Sequence, residues 1–416
     1  MNPQTQDAPA QGSIYDPAIA LEFFKLDPRR GAQASMTRFD PALVQRGARL
    51  RRSPYFEATQ RAGCRGYTVY NHTLLPIAFD DPRAEYRKLL EDVTLWDVAV
   101  ERNVEISGPD GARFAELLTP RDLSKCRVGE GRYVLLTDDA GGIVNDPVLL
   151  RLAKDRFWLA CADSDVLLWA KGIARGSGLR VNLRELDVAP LQLQGPKSRP
   201  LAQALFGEQV LRLGYYCFFE TRLDDIPLLV TRTGWSGELG YELYLLDPAR
   251  GDELWERVMV AGRPYGIAPT GPSDIRRIEA GILNYGIDMT LENDPYEVGL
   301  GRLVDLDKPC DFVGRQALQR IRNDGPRRRL VGVEIDGAAL DLNMTRWPVR
   351  AGDRILGHVT SAVHSPRLQK NIGYALVPPE HAANGTRFEV ETPAGELRAT
   401  VVSMPFVDPA KTLARS

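Results

Sequence analysis

From about residue 53 onward, apolar positions alternate between two spacings. Short runs repeat every second residue, and longer stretches repeat every three to four, the periods of strand and helix. Strands are predicted over residues 104–106, 134–136 and 148–152, with helices over 109–118 and 164–173. Ser107 and Gly108 precede the first helix as small residues suited to a helix entry. Around 323–329 (NDGPRRR) the pattern breaks into a turn signal and a basic run, the mark of a domain boundary. Beyond it, 330–335, 354–360, 371–377, 388–391 and 397–402 are predicted strands between Gly, Pro and Asn turns. The fold class expected is therefore α+β, closing in a small β-barrel or sandwich.

Composition narrows the partners. In 416 residues, 44% are hydrophobic and 26% charged, with a formal charge of -2, so neither a polyanion nor a membrane surface is favoured. No nucleic acid partner is expected. Five scattered cysteines and four histidines show no paired or metal-ligand spacing, so no metal site is expected. The polar N-terminus (MNPQTQDAPAQGS) lacks the basic-then-apolar order of a signal peptide, and no apolar run is long enough to span a bilayer. A cytoplasmic location follows as the expectation.

Three segments combine glycine turns with acids and aromatics. In DDAGGIVNDPVLL (138–150), Asp146 interrupts apolar surroundings; it could orient a ligand amine or stabilise positive charge, or merely cap a turn. In TRTGWSGELGYELY (231–244), alternation puts Glu242 and Tyr244 on one strand face, with Trp235 nearby in the loop. An acid beside aromatic rings suits a flat heterocycle with an N–H edge. An aromatic hairpin with a solvated Glu242 is the plainer alternative. The third, 276–318, opens as a helix bearing Arg276, Arg277 and Glu279 and reads as scaffold with a solvated charged face. His72 reads as a hydrogen-bonded structural histidine.

Taken together and in order, these segments resemble the folate-dependent aminomethyltransferase family, typified by the T-protein of glycine cleavage. The family pattern G-x-[ST]-G-E-x-G-x-E matches Gly234, Ser236, Gly237, Glu238, Gly240 and Glu242 with one residue varied. GGI-x-[ND]-D matches Gly141 to Asp146, and K-x-x-DF-x-G matches Lys308, Asp311, Phe312 and Gly314. The run GHVTSAVHSPRLQKNIGYALV (357–377) resembles the family's C-terminal barrel. Within the family, YTVYNHTLLP, LWDVAVERNVEISGPD and NDPYEVGL resemble the dimethylsulfoniopropionate demethylase branch. Ser273 stands where T-proteins carry a folate-contacting arginine, which points away from an aminomethyl donor on a lipoyl arm.

The resemblance implies a three-domain T-protein-like fold, with ferredoxin-like α/β folate-binding domains and the barrel. It divides the chain into a flexible tail at 1–35, a catalytic region of two interleaved α+β subdomains at 36–325 and a barrel domain at 326–416. It implies tetrahydrofolate as cofactor, with Glu242 reading the pterin edge and Asp146 near the reactive nitrogens. Trp235 and Tyr244 are expected around the donor or the pterin face, Tyr70 at the pocket wall, and Asp146 and Tyr244 as the catalytic pair. The implied reaction moves a methyl group from a small sulfonium zwitterion to tetrahydrofolate; a betaine donor, an aryl methyl ether donor and a non-catalytic folate-binding protein are the alternatives, and a homodimer is left open. A sulfonium departs as a neutral thioether and needs no general acid, so alignment can supply roughly 7–11 kcal/mol of the barrier.

Overall fold

The computed structural model describes residues 49–416; the tail expected at 1–35 lies outside the described residues. Arg51–Ser416 form one compact unit built from two open sheets, a closed barrel and their covering helices. The six-stranded sheet runs Phe218–Leu223, Ile226–Thr231, Gly240–Leu245, Ala189–Gln194, Thr94–Asp97, Ala268–Pro269, antiparallel except at the last pair. Leu191, Leu193, Leu243 and Leu245 pack beneath the helices Ser198–Phe206 and Gly251–Gly262. Each such leucine contributes about 1.5–3 kcal/mol of burial. Strand alternation then forces Gln192, Gln194, Glu242 and Tyr244 onto the opposite face.

The five-stranded sheet runs Asn182–Leu186, Arg102–Ser107, Arg156–Cys161, Val148–Ala153, Gly131–Tyr133 and is antiparallel throughout. Its helices, Gly111–Leu118 and Val166–Ser177, bury Phe114, Leu118, Val166 and Ala170 against it. The two sheets meet where Leu150, Trp158 and Ala160 of one pack on Phe218, Leu229 and Tyr244 of the other. The strand expected at 134–136 splits. Gly131–Tyr133 ends in the five-stranded sheet, whereas Leu136–Thr137 pairs with Ile143–Asn145 in a separate hairpin. Val134, Leu135 and Leu136 are all buried, so hydropathy cannot show where the chain changes partner.

Past the helix Arg315–Asp324, six strands close a barrel in the order Arg329–Ile335, Lys370–Val377, Arg354–Ser365, Trp347–Ala351, Arg387–Thr392, Gly395–Val402. Pairing of Arg329–Ile335 with Gly395–Val402 seals it, so the barrel rather than the sandwich forms. Trp347–Ala351 is a strand the pattern missed; Pro348 within it signals a turn in sequence yet is tolerated here. Among the described residues no helix is long and apolar enough to cross a membrane.

The solvated charged face expected for Arg276, Arg277 and Glu279 is not found: all three are buried. The helix that carries them, Asp274–Glu279, is wedged against the barrel. Arg277 pairs with Asp274 at 2.6 Å and Asp288 at 2.8 Å and donates to Ser361 Oγ at 2.9 Å. Arg276 pairs with Glu238 at 2.7 Å, and Glu279 accepts from Tyr86 at 2.7 Å and Ser365 at 2.6 Å. Periodicity marks these residues as polar, but only packing supplies the partners that make burying them tolerable.

Candidate functional site

A polar row crosses the helix-free face of the six-stranded sheet. Trp96, Gln192, Glu242 and Thr231 stand in register on four adjacent strands. Glu242 is 5% exposed and accepts from Gln192 Nε2 at 2.7 Å, Thr233 Oγ1 at 2.6 Å, Tyr244 Oη at 3.1 Å and Thr231 Oγ1 at 3.3 Å. Three of these bonds fall on Oε2, leaving Oε1 with only the Gln192 amide and a lone pair to spare. Gln192 Oε1 is buried without a hydrogen-bond partner. A carboxylate and an unpaired amide oxygen side by side call for a ligand edge bearing N–H donors. Burial pushes the Glu242 carboxyl up despite these donors.

The loop from Thr233 to Leu239 wraps the Gln194 side chain. Ser236 Oγ donates to Gln194 Oε1 at 2.6 Å, and a Cβ at Gly234 or Gly240 would lie 2.2 or 2.3 Å from that amide. Only glycine permits such an approach, which gives the motif's glycines their physical reason. Trp235 is half-buried against Leu89, Trp96 and Val98, with the Arg277 guanidinium 5.6 Å from its ring centroid. Burial lowers the Arg277 pKa, but Asp288 and Asp274 more than offset it, so that charge persists.

Asp146 follows the short strand Ile143–Asn145. It caps no turn: Asp138 does, accepting from Ala140 and Gly142 backbone N–H groups at 3.0 and 2.7 Å. Asp146 Oδ2 instead accepts from Tyr133 Oη at 2.9 Å. Burial pushes its pKa up to about 7, with the Tyr133 bond pulling the other way. Tyr70 arrives on the hairpin of Gly66–Tyr70 and Thr73–Ala78, whose two-residue turn, Asn71 and His72, has φ of 48° and 59°. Asn71 Nδ2 bonds the carbonyls of Cys161 and Ala162, both at 3.2 Å, docking the tip. His72 lies exposed in that turn rather than in the core. Burial, then Asp146 and Glu101, hold the Tyr70 phenol well above its usual pKa.

One acid was missing from the sequence reading. Glu101 occupies the turn between Thr94–Asp97 of one sheet and Arg102–Ser107 of the other. Burial raises its pKa well above the carboxylate range, and Glu242 and Asp146 raise it further. Three carboxyl groups thus lie near enough that two of them act on the third. Glu101, Asp146, Tyr70 and Tyr133 keep partial solvent access, and burial is the leading influence on their proton affinities. Glu101 has no local motif to mark it; Tyr133 and Gln192 read as ordinary strand residues.

Of the residues singled out in sequence, Tyr244 bonds Glu242, and Asp146 and Tyr70 lie close enough to act on one another and on Glu101. Tyr244 is fully buried; it offers no surface to a ligand and meets the site through its hydroxyl on Glu242. Trp235 belongs to a separate apolar cluster from Tyr244, joined to Glu242 through Trp96 and Gln192 in the polar row.

Residues 44–308 match the family model of the GCVT N-terminal domain, and residues 328–408 that of the glycine cleavage T-protein C-terminal barrel domain. The chain is 40% identical over 353 residues to a dimethylsulfoniopropionate demethylase of Ruegeria pomeroyi, covering 85% of this chain and 96% of that protein. It is 34% identical over 373 residues to an aminomethyltransferase of Symbiobacterium thermophilum, covering 86% and 97%. Its fold is similar to that of the glycine cleavage system aminomethyltransferase T from Bartonella henselae, with a TM-score of 0.78 at 25% identity over 86% of this chain and 98% of that one.

Proposed function

Because the chain belongs to the glycine cleavage T-protein family of tetrahydrofolate-dependent enzymes, we propose that it is a demethylase. It moves a methyl group from a small sulfonium zwitterion of the dimethylsulfoniopropionate type to tetrahydrofolate, leaving a neutral thioether and 5-methyltetrahydrofolate. The observation that carries this reading is the buried Glu242 carboxylate beside the unpartnered Gln192 amide oxygen, and the similarity to a dimethylsulfoniopropionate demethylase supports it.

The residues present fit a pterin. Gln192 Oε1 lacks a donor and Glu242 Oε1 retains a lone pair, which together suit adjacent N–H groups on one heterocycle edge. When bound, tetrahydrofolate supplies the secondary amine nitrogen that receives the methyl group. Glu242 orients that edge, and Thr231, Thr233 and Tyr244 hold Glu242 from behind. Tyr244 is a positioning residue on this account, acting through the carboxylate. Asp146, with a pKa near 7 and one oxygen fixed by Tyr133, can take up a proton at its other oxygen near neutral pH, the condition for an efficient base. Trp235, with the Arg277 cation already 5.6 Å from its ring centroid, is better suited to an aromatic face of the pterin than to a second positive charge. A quaternary ammonium donor also leaves as a neutral group and suits the same acid-rich surroundings.

The test is to incubate the purified protein with tetrahydrofolate and a panel of sulfonium, betaine and methoxy-aryl compounds, following 5-methyltetrahydrofolate by mass. Product is expected with a sulfonium. Product with ethers alone, or with none of the panel, would remove the proposal.

A further inference from the structure

Two glutamines stand on the helix-free face of the strand Ala189–Gln194, and only one of them is satisfied. Gln194 is closed within the protein: its Oε1 accepts from Ser236 Oγ at 2.6 Å, and its Nε2 donates to the Thr233 carbonyl at 3.4 Å. Gln192, 1% exposed, donates from Nε2 to Glu242 Oε1 at 2.7 Å, while its own Oε1 has no partner among the described residues. Turning this amide over would set its oxygen against the carboxylate, acceptor facing acceptor, so Glu242 fixes its orientation. The neighbouring donors in the row are committed elsewhere. Trp96 Nε1 bonds Thr94 Oγ1 at 2.8 Å, and the Thr231, Thr233 and Tyr244 hydroxyls bond Glu242 Oε2. The donor that a buried amide oxygen requires is therefore left to a ligand.

The same three hydroxyls limit how Glu242 itself can be used. A free carboxylate accepts two parallel N–H groups, one on each oxygen. Here Oε2 already accepts three donors, and only Oε1, which holds the single Gln192 bond, stays open. A heterocycle with two adjacent N–H groups must then set one on Glu242 Oε1 and the other on Gln192 Oε1. The reading pair is one charged oxygen and one neutral oxygen rather than a forked carboxylate.

We propose that Gln192 determines which pterin the site accepts: with Glu242 Oε1 it selects the lactam ring, whose N3–H and 2-amino group lie side by side, over a 2,4-diaminopteridine. This rests on the tetrahydrofolate reading above and names the ring chemistry that its site admits. In the lactam, both adjacent positions are donors and both meet acceptors. A neutral 2,4-diaminopteridine has a bare ring nitrogen on either side of its 2-amino group, and that nitrogen would face an acceptor oxygen. It becomes a donor only by taking up a proton, and the forked carboxylate that would hold the resulting cation is already filled on one side.

Calorimetric titration of the full-length protein tests this with tetrahydrofolate, its 2-desamino analogue, its 3-deaza analogue, in which C–H replaces N3–H, and its 2,4-diamino analogue. The wild type is expected to bind tetrahydrofolate about 10-fold more tightly than each of the others, a typical effect of a lost hydrogen bond to a buried acceptor. Gln192→Met keeps the length of the side chain and removes the amide. Its tetrahydrofolate affinity should fall about 10-fold, and one of the two N–H deletions should then bring no further loss. Such coupling marks a direct contact, and a merely structural role would not produce it. Equal losses for both deletions in wild type and Gln192→Met, or a 2,4-diamino analogue bound as tightly as tetrahydrofolate, overturn the assignment and leave the demethylase reading intact. A wild type that binds none of the four overturns both. Should Gln192→Met fail to fold, the wild-type series still decides: no loss on removing either N–H, or no preference for the lactam, overturns the assignment.

Discussion

Replacing Asp146 by Asn separates two consequences of desolvating one carboxyl group. The side chain keeps its shape, and an amide oxygen can still accept from Tyr133 Oη, 2.9 Å away, but the charge is gone. In the wild type the pKa rises from 3.8 to about 7 on folding, with burial as the leading cause. The unfolded chain therefore sheds this proton near pH 4 and the folded protein near pH 7, so stability falls as pH rises between them and the whole loss is present above about pH 7. That excursion corresponds to about 4 kcal/mol, and because Asp146 retains partial solvent access the effective figure is nearer ~2 kcal/mol. Asp146→Asn should then be more stable than wild type at pH 8, with Tm higher by about 2–5 °C, and the gap should close toward pH 4. Methyl transfer should drop by about 10²–10⁴-fold. Thermal unfolding at pH 4.5, 6 and 8 beside turnover at pH 8 makes the comparison. A variant less stable than wild type at pH 8, or a gap that ignores pH, refutes the claim that Asp146 is ionised at a cost in the fold.

Three other outcomes follow from the same geometry. Glu242→Gln should weaken tetrahydrofolate binding by about 10–100-fold, since a charge-assisted bond is replaced by a neutral one, while donor affinity moves little; calorimetry showing folate affinity unchanged would remove Glu242 as the pterin reader. Tyr133→Phe deletes a bond that stabilises the Asp146 carboxylate, so the inflection in the pH–rate profile should move upward from about 7, and an unmoved inflection counts against Asp146 as the titrating group. Asp288→Asn keeps an oxygen for Thr360 and Ser361 but removes the charge paired with buried Arg277 and the acceptor for the Asn284 backbone N–H, and urea unfolding should report a loss of about 3–5 kcal/mol; a loss under ~1 kcal/mol would mean that Arg277 is not held by charge pairing.

The sequence by itself determined the α+β class, the C-terminal run of barrel strands and the pairing of Glu242 with Tyr244 on one face, because these depend on local periodicity and glycine spacing. Strand alternation made the Glu242–Tyr244 relation unavoidable once Gly240–Leu245 was a strand. It also supplied Asp146, as an acid out of place among apolar neighbours. What Asp146 touches was not legible: Tyr133 lies in a strand of another sheet, and burial sets the carboxyl's proton affinity. Glu101 was invisible for the same reason, being one acid in a turn until two sheets bring it beside Glu242 and Asp146. Arg276, Arg277 and Glu279 look like a solvated face because charge in sequence signals water by default; only the barrel packed against that short helix supplies the counter-charges that keep them buried. Periodicity specifies which way a side chain points along its own element, whereas its dielectric and its partners belong to elements distant in the chain, and those the tertiary structure alone decided.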